Sequence, residues 1–317
     1  MINKHNKHRF CGAFLFLLTI CVLYAKIIIN EKQKEFKMEI IKEKVFDCER
    51  ALYESEDISV INCRFEGEAD GESALKESKN ILARGCFFDL RYPFWHDEKA
   101  DIINCEMTEN CRAPLWYSKH VSIKDSKLWG VKALRECEKI KIDSCHIVSG
   151  EFGWDNTDVS ITSSYVKGEY FMARSKNLSF TNLQMEGKYS FQYIENAVLD
   201  GCDLNTKYAF WHAKNVTVRN CTVKGEYLGW YSENLTFENC IIIGTQPLCY
   251  CKNLTLINCE MHGCDLSFEK SYVQAQITTP ILSVKNVLGG KITAPRVDEI
   301  IKDKEEYKGV VVEDEKL

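Results

Sequence analysis

Between residues 58 and 261 apolar and polar positions alternate in short runs, and the runs recur at a fixed distance. Three copies make the unit visible: Asn215-Val-Thr-Val-Arg-Asn-Cys221, Asn234-Leu-Thr-Phe-Glu-Asn-Cys240 and Asn253-Leu-Thr-Leu-Ile-Asn-Cys259, each 19 residues after the last. With the last residue of each copy set as position zero, the series runs Cys63, Cys86, Cys105, Ser126, Cys145, Ser164, Leu183, Cys202, Cys221, Cys240, Cys259. From Ser126 onward every interval is 19; the earlier ones are 23, 19 and 21. The column two after zero is apolar throughout, from Phe65 to Met261, and so are the columns three and five before it. Polar residues stand between them, so each run predicts a short strand with one buried face. The column one before zero holds only Asn, Asp, Ser or Gly, from Asn62 to Asn258. Such residues suit a corner, where Asn, Asp and Gly tolerate left-handed backbone. Fifteen before zero, glycine recurs at Gly71, Gly130, Gly168, Gly187, Gly225 and Gly244, which marks a second corner.

No segment of the repeat has a 3.6-residue period, which excludes the helical solenoids. The pattern predicts an all-β protein, a right-handed parallel β-helix with about 19 residues per coil and about 11 regular coils. The right hand is preferred because the six-residue motif of left-handed helices and the five-residue period of pentapeptide repeats are both absent. Coils stacked at about 4.8 Å would bury a continuous column and build a rod about 50 Å long. Irregular coils follow Cys259, with strands expected near Tyr272, Leu282 and Lys291. The expected organisation is a transmembrane anchor or signal segment at 1–30, one hydrophobic helix; a charged linker or cap at 31–46; the β-helix at 47–302; and a charged tail at 303–317.

Gly225-Glu-Tyr-Leu-Gly-Trp-Tyr-Ser-Glu-Asn-Leu-Thr-Phe, followed by Cys249-Tyr-Cys-Lys-Asn-Leu-Thr-Leu-Ile-Asn-Cys259, Ser283-Val-Lys-Asn and Gly290-Lys-Ile, resembles an uncharacterised, mostly bacterial family, the domain-of-unknown-function family 3737. The resemblance covers roughly residues 45–302 and implies a β-helix; it implies no activity.

The charge balance, 41 basic against 46 acidic residues, leaves no basic footprint for nucleic acid. Residues 10–29 form a mostly apolar run of 20, about 30 Å as a helix and enough to span a bilayer. We expect a single-pass N-terminal membrane anchor; a signal cleaved after Ala25, giving a secreted protein, is the alternative. Lys4, Lys7 and Arg9 precede the run and Lys32, Lys34, Lys37, Lys42 and Lys44 follow it, which mildly favours a cytosolic β-helix. The cysteines argue the same way. Of 16, eight lie in the zero column and face inward, stacked with parallel side chains that suit disulfides poorly. So many free thiols suit a reducing compartment. No zinc spacing, nucleotide loop or other cofactor motif is present, so no cofactor or metal is expected.

One edge is richer than folding requires. The column ten before zero holds five of the six tryptophans, Trp95, Trp116, Trp154, Trp211 and Trp230, with Lys76, Arg135 and Gln192 among them. Those polar members predict that the column faces outward. Its neighbour, nine before zero, carries His96, Tyr117, Glu136, Asp155, Arg174, Tyr193, His212 and Tyr231. Stacked indoles beside stacked His, Tyr and carboxylates suit a groove for an extended ligand such as a glycan. A self-stabilising aromatic ladder and a protein interface are the competing readings. Glu136, Asp155 and Arg174 fall on three successive coils, a carboxylate–Arg set of the type that carbohydrate-active β-helix lyases and hydrolases use; a surface salt-bridge ladder is the plain alternative. His96 and His212 stand in equivalent places six coils apart, about 29 Å, too far for one active site.

Overall fold

The computed structural model describes residues 38–67 and 72–314; the expected anchor at 10–29 lies outside them. The unit Ile40–Leu317 is a parallel β-solenoid. Fifteen strands from Glu39–Lys42 to Val310–Glu313 join in one parallel ladder, about fourteen turns. The register follows the 19-residue period: Leu178 pairs with Ala197, Ala197 with Val216, Val216 with Leu235 and Leu235 with Leu254. After each Asn corner a shorter strand forms a second ladder, as in Met185↔Leu204. A third, two residues wide, joins Phe94–Trp95, Leu115–Trp116 and Leu134–Arg135. Parallel β crossovers take the right hand in nearly all proteins, which is the hand expected here.

The ladder reaches past both expected bounds. Glu39–Lys42 and Val45–Phe46 pair with the next coil inside the stretch read as a linker or cap. Val310–Glu313 pairs with Gly289–Ala294 inside the expected tail. Among the described residues the helical content is one 3-10 turn, Glu109–Cys111, and no helix is long and apolar enough to cross a membrane.

All eleven residues of the zero column are buried. They do more than fill space. The corner residue before each has left-handed backbone, for example Asn220 at φ 54° and Asn239 at φ 52°. The turn there leaves the next N–H out of the strand ladder, and a side chain one coil on accepts it: Cys202 N–H donates to Cys221 Sγ at 3.2 Å, and Cys145 N–H to Ser164 Oγ at 3.0 Å. A second inward column, eight before zero, works in the same way, with Ser78 N–H donating to Asp97 Oδ1, Cys137 to Asn156 Oδ1 and Asn156 to Ser175 Oγ. Small polar residues therefore line two seams of an otherwise apolar core, because a buried N–H without an acceptor is costly. All described cysteines are free, and all but Cys48 are buried.

The glycine column has a steric cause. A Cβ on Gly187 would lie 1.7 Å from the Gly168 carbonyl oxygen, and one on Gly168 would lie 1.9 Å from that of Ser149. Successive coils pass backbone against backbone at this corner.

Candidate functional site

The Trp and His/Tyr columns meet at a corner whose backbone is left-handed on every regular coil. The column nine before zero has φ between 51° and 62°, including His96, Tyr117, Arg174, Tyr193, His212 and Tyr231. Left-handed backbone costs an ordinary residue roughly 1–2 kcal/mol. It swings these side chains outward in register, so rings on neighbouring coils lie face to face. His96 stacks on Tyr117 at 4.8 Å between centroids, Tyr193 on His212 at 4.8 Å, His212 on Tyr231 at 5.0 Å and Tyr231 on Tyr250 at 4.7 Å. The row faces solvent: Tyr193 is 54% exposed and Tyr231 47%.

The tryptophans are half-buried, which corrects the expectation that their column faces out. The reason is a hydrogen bond the sequence pattern hides. Each indole N–H turns back to a backbone carbonyl on the next coil: Trp95 to Ala113, Trp116 to Lys132, Trp154 to Tyr170, Trp211 to Tyr227 and Trp230 to Gln246, at 2.6 to 3.0 Å. Their faces are covered by neighbours in the same column. Trp95 stacks on Trp116 at 5.1 Å and Trp211 on Trp230 at 5.5 Å. The Arg135 guanidinium lies between Trp116 and Trp154, 5.2 and 5.7 Å from their rings. Arg174 lies 5.0 Å from the Trp154 ring. Of the polar residues that argued for an outward column, Arg135 is thus a rung of the ladder, joined by cation–π contact, and Gln192 donates its side-chain amide to the Tyr208 carbonyl as the indoles do to theirs.

A third aromatic row, absent from the sequence expectations, flanks the tryptophans on the other side. Tyr170, Tyr189, Tyr208 and Tyr227 stand thirteen before zero and stack at 4.9, 5.0 and 5.6 Å. Trp230 lies between Tyr227 at 5.3 Å and Tyr231 at 6.2 Å, nearly perpendicular to both. Reading that column of the repeat as an outward face would have found the row; its four consecutive tyrosines are the signal.

The corner brings Glu136, Asp155 and Arg174 onto consecutive coils, as the period required. Arg174 clamps Asp155 with two bonds, Nε to Oδ1 at 2.7 Å and Nη2 to Oδ2 at 2.6 Å. Asp155 in turn holds the guanidinium more firmly charged. Glu136 faces Arg135 at 3.3 Å. Further along the same corner the hydroxyl of Tyr53, ten before zero, donates to Glu77, nine before zero on the next coil, at 2.8 Å and holds that carboxyl below its ordinary range. Among the described residues no three His, Cys, Asp or Glu side chains gather as a metal site would need.

The family model of DUF3737, described as a protein of unknown function, matches residues 39–313. The chain belongs to this family. The match begins and ends with the strand ladder, at Glu39 and Glu313. No curated protein matches this DUF3737 member. Its fold is similar to the catalytic domain of a GH87 alpha-1,3-glucanase in complex with nigerose, at 11% identity and TM-score 0.44, covering 76% of this chain. This chain spans 63% of that domain's length. It is also similar to PfbA, a surface adhesin of Streptococcus pneumoniae, at 9% identity and TM-score 0.47, covering 82% of this chain and 83% of PfbA. A third similar structure is a tailspike double mutant of E. coli bacteriophage HK620 in complex with a pentasaccharide, at 9% identity and TM-score 0.47, covering 86% and 70%.

Proposed function

We propose that the β-solenoid is a binding module without turnover, and that the aromatic corner takes an extended, hydroxyl-rich ligand, a glycan, lying along the solenoid. The Tyr193–His212–Tyr231 row, its two tyrosines exposed and the imidazole between them half-buried, carries this reading. Three consecutive coils present rings, hydroxyls and an imidazole at a constant spacing, on backbone that is strained in order to point them outward. Because the indole faces are covered, the ligand is met by the tyrosine and histidine rows, with the Trp ladder as their rigid base. Tyr hydroxyls and imidazole nitrogens hydrogen-bond sugar hydroxyls, and ring carbons cover the sugar's apolar patches. The alternative, a lyase or hydrolase centred on Glu136, Asp155 and Arg174, needs a carboxyl able to exchange protons with substrate; Asp155 instead gives both oxygens to Arg174. A protein partner on the same edge is the competing binding reading.

The test is a glycan-array screen of the chain, with Tyr193→Ala and Tyr231→Ala beside it. Both side chains are exposed, so both variants keep the fold. Each is expected to weaken binding about tenfold, taking about 0.5–1.5 kcal/mol per ring contact plus lost area. Binding that is unaffected by either substitution, or no glycan retained, overturns the proposal.

A further inference from the structure

The Tyr row thirteen before zero is broken on three successive coils, at Ala113, Lys132 and Glu151, and the first two of them open a pocket. Where Trp211 donates its indole N–H to the Tyr227 carbonyl, Trp95 donates to Ala113 and Trp116 to Lys132. Ala113 and Lys132 thus hold the positions that Tyr227 holds elsewhere. Trp230 has perpendicular tyrosine rings on both sides, Tyr227 at 5.3 Å and Tyr231 at 6.2 Å; Trp116 keeps Tyr117 at 5.9 Å but has Ala113 where Tyr227 would stand. The result is a groove of about 430 Å³ walled by Tyr92, Trp95, Ala113, Trp116 and Val131, with Arg112 and Lys132 at its rim.

The groove is built into this part of the chain. The coil between Cys105 and Ser126 is two residues longer than the regular 19 and spends them on the 3-10 turn Glu109–Cys111. That turn delivers Arg112 at φ 52°. A Cβ on Gly130 would meet the Arg112 carbonyl at 2.7 Å and Pro114 Cδ at 2.6 Å, so glycine is needed for the next coil to pass behind the groove. Val131 stays 53% exposed at the mouth. Lys132 is paired with Glu151 at 3.2 Å, whereas Arg112 is exposed and forms no ion pair among the described residues. An apolar hollow of this size, with an exposed guanidinium among its lining residues that has no ion pair among the described residues, is complementary to a ring that carries an anion.

We infer that the Tyr92–Trp95–Trp116 groove is a subsite for an acidic sugar residue, its ring against the apolar wall and its carboxylate on Arg112. The inference rests on the glycan reading of the same edge and adds the charge class of the sugar. A guanidinium binds a carboxylate through two parallel hydrogen bonds, which gives direction as well as attraction.

The experiment uses the full chain in mild detergent on an array carrying uronate, sialate and neutral oligosaccharides, followed by calorimetry of oligogalacturonate and its methyl ester. The ester keeps the ring and removes the charge. Retention of carboxylate-bearing glycans is expected, with the ester of any uronate bound about tenfold more weakly, the size of one charge-assisted hydrogen bond. Arg112→Gln should erase the preference. Lys132→Tyr, which restores the tyrosine and fills the hollow, should abolish acidic binding while leaving Tyr193-dependent binding of neutral glycans intact. Retention of neutral glycans alone, or Arg112→Gln with an unchanged acidic preference, overturns the subsite and leaves the binding edge standing. Retention of no glycan overturns both.

Discussion

Trp211 donates its indole N–H to the backbone carbonyl of Tyr227 on the next coil, 2.6 Å away, while its ring lies parallel to Trp230 at 5.5 Å. One side chain thus ties two coils by a hydrogen bond and by stacking. Trp211→Phe should keep the ring and lose the bond, at about 1 kcal/mol. Trp211→Ala should lose both and open a half-buried gap, at about 2–4 kcal/mol. Urea denaturation measures the two. An alanine variant as stable as the parent would show that the ladder is not part of the packing.

Cys221 accepts the N–H of Cys202 from inside the core. Serine fills the same column at Ser126 and Ser164 and accepts in the same way. Cys221→Ser should therefore change stability by less than about 1 kcal/mol, whereas Cys221→Asp places an unpaired charge in the core and should cost more than about 3 kcal/mol. Thermal melts that rank aspartate with serine would refute the inward seam.

Asp97 is 1% exposed, and only its Oδ1 is bonded, to the Ser78 N–H. Burial raises its pKa well above the ordinary carboxylate value, so the folded chain keeps it neutral where the unfolded chain ionises it. Unfolding then releases a proton. The stabilising preference is complete below the unfolded pKa of about 3.9 and is lost as pH rises from there toward the folded value. Asp97→Ser, matching Ser78 and Ser118 on either side, should flatten that fall and be more stable than the parent at pH 8. Melting temperatures across pH 4–8 check it; parallel curves for the two proteins would show that Asp97 is ionised in the fold.

Gly187→Ala drives a methyl into the Gly168 carbonyl. Backbone is less able to yield than a side chain, so the loss should reach about 3 kcal/mol, the upper end for overpacking. Gly263→Ala is the control, since nothing lies within 4 Å of its Cβ position. Its cost should be limited to backbone strain at φ 62°. Equal melting temperatures for the two variants would mean that the coils separate at the glycine corner.

Native alkylation should modify Cys48 rapidly and leave the thirteen buried cysteines of the solenoid unmodified until the fold opens. Burial pushes the Cys145 thiol up to about 11, which keeps it unreactive near neutral pH. Peptide mapping after timed labelling reads this directly. Rapid labelling of Cys145 or Cys202 would contradict the closed core.

The sequence by itself determined the coil, its period and its inward faces. A solenoid brings residue n beside residue n + 19 on every regular turn, so a side chain's environment repeats with the period and a column of Ile, Val and Leu can only be core. It also placed Glu136, Asp155 and Arg174 on successive coils, and it set His96 beside Tyr117. Only the tertiary structure decided what those columns do. Tyr, His, Glu and Arg are poor signals for left-handed backbone, and the corner at His212 is imposed by closure of the coil. The half-burial of Trp211 depends on where the next coil's Tyr227 carbonyl points, which residue type does not reveal. The clamp on Asp155 and the hollow at Trp116 arise in the same way. A period states which residues are neighbours, while hydrogen-bond direction and a missing ring decide whether neighbours close on each other or leave room for a ligand.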